Sequence, residues 1–186
     1  ISEDVTDSTV PDDESGTPKI VKGDTWTVMF YQDADDQILE EDIFTDLNEI
    51  ERVGSTDKVH LIAQIDRYQG GFSGKQNFTG AGRFYLTQDD DLERVNSEVL
   101  ADLGEINMAD GDVLVDFVTW AIKEYPADRY VLILSDHGTG WPGGWTDGDM
   151  ESEPQNVLID GWEDMIYLNE MDEAFAKIKQ QTGIEK

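Results

Sequence analysis

The feature that most constrains this chain is the run from Arg129 to Pro142. Its apolar residues Tyr130, Val131, Leu132, Ile133 and Leu134 lead straight into a polar, glycine-rich turn containing Ser135, Asp136, His137 and Gly138. An unbroken apolar run bounded by turn signals reads as a strand buried on both faces, of the kind found in a parallel sheet covered by helices. Open α/β sheets place their ligands beyond the carboxyl ends of such strands. His137, one of two histidines in the chain, stands at that end with Gly138 behind it. Imidazoles ordinarily titrate near neutrality and so serve as general acids and bases, and a following glycine lets a backbone N–H approach a substrate oxygen closely. The second histidine, His60, opens a strand at a polar-to-apolar transition and reads as structural.

Other segments supply the layers this strand needs. Trp26 to Tyr31 is β-branched and aromatic, a first strand that runs into the acidic stretch Asp33, Asp35 and Asp36. Ile38, Leu39, Ile43, Phe44, Leu47 and Ile50 then recur at helical spacing up to a stop at Gly54. Val59 to Ile65 gives a second strand, and Arg83 to Leu86 a short third one. Asp110 caps a helix whose apolar face runs from Val113 to Tyr125 and which Pro126 ends. Leu168, Met171, Phe175 and Ile178 mark a last helix closed by Gly183. Pro142 to Asn156 reads as a long loop beside the candidate site, followed by a short strand at Val157 to Ile159. The alternation of strands and helices predicts a doubly wound α/β layer with right-handed crossovers.

Charge and composition exclude several classes. A formal charge of -29 repels nucleic-acid phosphates and anionic lipid, so DNA, RNA and membrane-surface roles are excluded. The acid excess reads as a solubilising, salt-tolerant surface, or as an attraction for cations and basic peptides. No apolar run approaches the roughly 20 residues of a membrane helix. Residues 1 to 24 form an acidic arm with the composition of a solvated linker, and residues 25 to 186 form the folded part. The chain carries no cysteine, which removes disulfides, thiolate zinc sites and any cysteine nucleophile of its own.

Several motifs compete for a functional role. Asp33, Asp35 and Asp36 suit three readings: charges at the start of a helix, a calcium site of several carboxylate oxygens, or the paired aspartates of a magnesium-dependent, haloacid-dehalogenase-like phosphatase. The glycines from Gly138 to Gly143 match a dinucleotide-binding spacing in form only. Pro142 and the glycines after it cannot open the helix whose N-terminus would hold a pyrophosphate. No serine sits in a nucleophile elbow.

The stretch from Tyr125 to Trp141 resembles the histidine motif of the clostripain family of cysteine peptidases, relatives of gingipains, legumains and caspases. The likeness extends to Trp26–Asp36, Ile65–Arg67, Leu103–Met108 and Leu114–Val118, so it spans most of residues 25 to 180. The resemblance implies a caspase-like three-layer fold, a mainly parallel sheet with helices on both faces that is incomplete without a second chain. It implies His137 as the catalytic histidine and Gly138 as an oxyanion donor. The family's cysteine follows the next strand, beyond this sequence, and its members are cut into light and heavy chains after a basic residue, a part that Lys186 would play. The expectation is thus the light chain of an autoprocessed endopeptidase cleaving after Arg or Lys, extracellular or on the cell surface. Its heavy chain would bring the cysteine, and calcium is a candidate cofactor because some relatives require it. The alternative is a catalytically silent module binding peptide or calcium on the same scaffold.

Overall fold

The computed structural model describes residues 23–68, 78–138, 143–146 and 165–184. The acidic arm up to residue 22, the strand expected at Val157 to Ile159, most of the long loop from Pro142 to Asn156, and Lys186 lie outside them. The elements in chain order are β1 (Trp26–Ala34), α1 (Glu40–Glu51), β2 (Val59–Arg67), β3 (Ala81–Tyr85), β4 (Glu98–Gly104), α2 (Gly111–Glu124), β5 (Arg129–Ser135), β6 (Gly143–Thr146), β7 (Met165–Tyr167) and α3 (Leu168–Thr182).

Five strands form one sheet in the order β4-β3-β2-β1-β5. β1 lies parallel to both β2 and β5, whereas β3 runs antiparallel to β2 and to β4. Four of the five strands therefore point the same way, and β3 alone is reversed. β6 and β7 pair antiparallel as a separate two-stranded ribbon, so the stretch read from sequence as a plain loop begins with a strand. β4 was not legible either: Glu98, Ala101 and Asp102 are poor strand formers, and edge pairing with β3 overrides their preference. β3 begins two residues before the expected Arg83 and ends at Tyr85.

Alternation along the central strands builds two cores on opposite faces of the sheet. Met29 and Tyr31 of β1 and Ile62 of β2 face one side, where Leu114, Phe117, Val118 and Ala121 of α2 and Ile178 of α3 cover them. Leu61, Ala63 and Ile65 of β2 face the other, against Ile43, Phe44 and Leu47 of α1. Each buried Leu, Ile, Val, Phe or Met side chain among them contributes about 1.5–3 kcal/mol. This is the doubly wound arrangement the alternation predicts, with the three layers the resemblance implies. α2 begins as expected, with the Asp110 carboxylate accepting from the Asp112 N–H at 2.8 Å. α1 ends before Gly54, whose φ of +66° and a Cβ that would lie 2.2 Å from the Gln88 backbone nitrogen leave room for glycine alone. Ile38, placed on the apolar face by its spacing, is 77% exposed because the helix starts only after it. His60 bonds the Tyr85 hydroxyl through Nδ1 at 3.2 Å and packs on the Tyr85 and Tyr125 rings, a structural role.

β5 departs from expectation. It sits at the sheet's edge with β1 as its neighbour, and its residues are half-buried to exposed rather than covered on both faces. Ile133, in the middle of the apolar run, is 39% exposed.

The carboxyl end of β2 carries two buried charges that point to opposite faces. Arg67 is fully buried; its Nε donates to Glu40 of α1 at 2.7 Å and its Nη1 to the Phe78 carbonyl at 2.7 Å. The guanidinium lies 4.1 Å from the Phe44 ring centroid and 4.9 Å from that of Phe78. Burial weakens the guanidinium's hold on its proton, and the Glu40 carboxylate opposes that. Asp66 is as deeply buried but poorly served. Its Oδ2 accepts the Ile106 N–H at 3.4 Å, and its Oδ1 finds no hydrogen-bond partner among the described residues. Burial first, and then the carboxylates of Glu105 and Asp35, push its carboxyl up to about 8.

Breaking the Arg67–Glu40 pair strands a buried carboxylate. Arg67→Met is accordingly expected to lower the unfolding free energy by about 3–5 kcal/mol in urea titrations; a loss under about 1 kcal/mol would show the pair to be incidental. Asp66 has the opposite sign. Unfolded, its carboxyl titrates near about 4, so between about 4 and 8 the folded chain holds the extra proton and this group's contribution to stability falls as pH rises. Asp66→Asn should therefore be more stable than the parent at pH 8, with an advantage that shrinks as pH drops towards 4; urea midpoints measured across that window check it.

Candidate active site

The sheet changes winding direction between β1 and β5. From β1 the chain crosses through α1 to β2 on one side, while β5 on the other side is reached through α2 on the opposite face. Such a switch point opens a crevice beyond the carboxyl ends of the two strands. Their parallel register ends at Gln32 opposite Ser135, so the residues just after each strand stand side by side at the rim. His137 follows β5 by two residues and Asp36 follows β1 by two.

The two meet. His137 Nε2 lies 3.3 Å from Asp36 Oδ2, with the imidazole side chain 44% and the carboxylate 27% exposed. Nδ1 has no hydrogen bond among the described residues, so one ring nitrogen is held and the other is open. Asp36 Oδ1 accepts the N–H groups of Ile38 at 2.6 Å and Leu39 at 2.9 Å, and its carbonyl accepts the Glu40 N–H at 2.9 Å. Partial burial works against the Asp36 charge. The N–H groups of Leu39 and Ile38, together with His137, outweigh it and hold the carboxyl below the usual range. Asp36 thus meets the helix-start reading of the acidic stretch.

Asp33 and Asp35 do not. Both are buried, and Asp33 Oδ1 accepts the Asp35 N–H at 3.3 Å. Among the described residues no group of three or more His, Asp or Glu side chains stands close enough to hold a metal ion. Burial of Asp33 and Asp35 disfavours the phosphatase reading, which needs a nucleophile that meets solvent.

Gly138 is exposed, with φ +64°, and no heavy atom lies within 4 Å of where a Cβ would sit. A side chain there would meet backbone strain rather than collision, and glycine lets the chain turn with its N–H available at the rim. An imidazole anchored through one nitrogen and followed by a backbone donor, with neither its other nitrogen nor that donor engaged among the described residues, can shuttle a proton and steady a developing oxyanion. The structure places His137 and Gly138 at the rim where the sequence reading put them, and adds the tie to Asp36, which that reading missed. The signal existed: parallel strands brought together at a switch point juxtapose the residues that follow them.

A model of the clostripain family matches residues 30–183. Clostripain of Hathewaya histolytica is 31% identical over 126 residues, covering 61% of this chain and 23% of that protein, so this chain spans about a quarter of the relative's length. The solved structure of a secreted C11 cysteine protease from Bacteroides thetaiotaomicron, in complex with an irreversible peptide inhibitor, is 21% identical. It covers 82% of this chain and 39% of its own with a TM-score of 0.55. A second secreted C11 protease from that organism, iotapain, is 16% identical, covers 87% of this chain and 44% of its own, and has a TM-score of 0.51. The fold is caspase-like, and the chain belongs to the clostripain family of cysteine peptidases.

Proposed function

We propose that this chain is the histidine-bearing light chain of an autoprocessed, extracellular cysteine endopeptidase that cleaves after Arg or Lys. The observation that carries the reading is His137, half-exposed at the β1–β5 switch point and held on one nitrogen by Asp36. The sequence holds no cysteine, so the nucleophile comes from polypeptide outside it, the heavy chain of the reading.

The sheet's open side supports such a partner. β5 is apolar from Tyr130 to Leu134, yet its outer edge is unpaired among the described residues. A groove of about 460 Å³ runs beside Tyr130 and Leu132 against Phe175 and Ile178 of α3, and another of about 500 Å³ lies along Ile133 and Phe30 on the opposite face. A further parallel strand at this edge, with apolar residues on both faces, would fill them and bring its own carboxyl end beside His137. A charge of -29 favours approach of basic peptides. Among the described residues no helix is long and apolar enough to cross a membrane.

In the chemistry that follows, a cysteine thiol gives its proton to neutral His137 and its sulfur adds to the scissile carbonyl carbon. The Gly138 N–H donates to the oxygen as it becomes an oxyanion, and protonated His137 gives its proton to the leaving amine nitrogen as the C–N bond breaks. Neutral His137 then takes a proton from water, whose oxygen attacks the thioester and frees the carboxylic acid and the thiol.

In the full-length protein, His137→Ala is expected to reduce cleavage of an Arg- or Lys-ended peptide by at least about a hundredfold, measured as kcat/KM. Retained activity would remove His137 from the mechanism. A thiol-directed peptide inhibitor should label a second polypeptide that copurifies with this one; failure to label any would favour the silent binding module.

A further inference from the structure

The geometry points to Asp36 as the positioning residue of His137, a role that rests on the catalytic reading of that imidazole and adds a carboxylate to it. The two oxygens of Asp36 have separate tasks. Oδ1 is fixed by the N–H groups of Ile38 and Leu39, which leaves Oδ2 directed at His137 Nε2. A carboxylate already held by two backbone donors loses little further freedom when it accepts the imidazole, so the contact orients the ring at small entropic cost.

The mount beneath it is rigid. The Asp36 carbonyl accepts the Glu40 N–H, and the Glu40 carboxylate is gripped by the buried Arg67 guanidinium. Asp36 thus stands on a turn tied to β2 through one residue and to the rim of β5 through another. An ionised carboxylate accepts hydrogen bonds and donates none. Against it, neutral His137 must carry its proton on Nε2, which leaves the Nδ1 lone pair towards the open rim where the sulfur and the leaving amine arrive. During proton transfer the same carboxylate faces the cationic ring.

Asn and Ser open such turns as well as Asp does, which separates positioning from folding. Asp36→Asn keeps the bonds to Ile38 and Leu39 but presents an amide N–H to Nε2 and so favours the wrong tautomer; Asp36→Ser keeps the turn and withdraws from the ring. In the full-length protein both should lower kcat about a hundredfold with KM within about twofold. Histidine-selective 15N NMR of the full-length protein, with the His137 signals identified by their loss in His137→Ala, supplies a readout a structural role would not move. At a pH where the rings are neutral, His137 should be the Nε2–H tautomer in the parent and shift towards Nδ1–H in Asp36→Asn. Parental kcat in both variants, or a loss of kcat with the tautomer unchanged, would overturn the assignment. If His137→Ala remains active, the catalytic reading itself fails, and the NMR result still reports separately whether Asp36 orients the ring.

Discussion

The buried contact between Arg67 and Glu40 is the interaction on which the placement of the rest depends. It joins the last residue of β2 to the first residue of α1 across the lower core, with Phe44 and Phe78 flanking the guanidinium. A buried ion pair is not in itself a large source of stability, since desolvation offsets much of the attraction. Its value lies in register. α1 has no side-chain hydrogen bond at its N-cap, Leu39, so the position of its first turn is set by Asp36 before it and by Arg67 beneath it. Whatever holds Glu40 in place also holds the loop that meets His137.

Asp66, the preceding residue, shows the contrast. Strand alternation sends its carboxyl to the opposite face, where it meets the Ile106 N–H but no cation, with Glu105 and Asp35 adding like charge. Two adjacent ionisable residues are thus buried to the same degree, one as a compensated charge and the other pushed towards its neutral form. Both end β2, the strand next to β1 on the side away from β5.

Much of this was legible in the residues. β1, β2, α1 and α2 followed from periodicity and punctuation, because Asp110, Pro126 and Gly54 each act through local backbone chemistry that needs no tertiary context. That β5 leads into a turn at His137 and Gly138 was legible because an apolar run gives way there to polar residues and glycine. What escaped was set by neighbours in space. β4 is a strand because β3 lies beside it, not because Glu98 or Asp102 favour extended backbone. Asp36 was one of three equivalent acids in the sequence, and only the β1–β5 register separates it from Asp33 and Asp35. The half-exposure of β5 was hidden for the same reason: an apolar run records how a strand ends up covered, not which polypeptide covers it.

The edge of β5 that is unpaired among the described residues has a consequence for how this segment behaves by itself. Its row of backbone donors and acceptors, flanked by Ile133 and Leu132, is a template for any extended segment, including the same strand of another copy. Charged gatekeepers are absent from Tyr130 to Leu134, with Arg129 the sole basic residue at the strand's start. The repulsion between molecules that each carry -29 works against such stacking at low ionic strength and fades as salt screens it. Colloidal behaviour of the isolated segment is therefore governed by a contest between one sticky ribbon and a shell of negative charge.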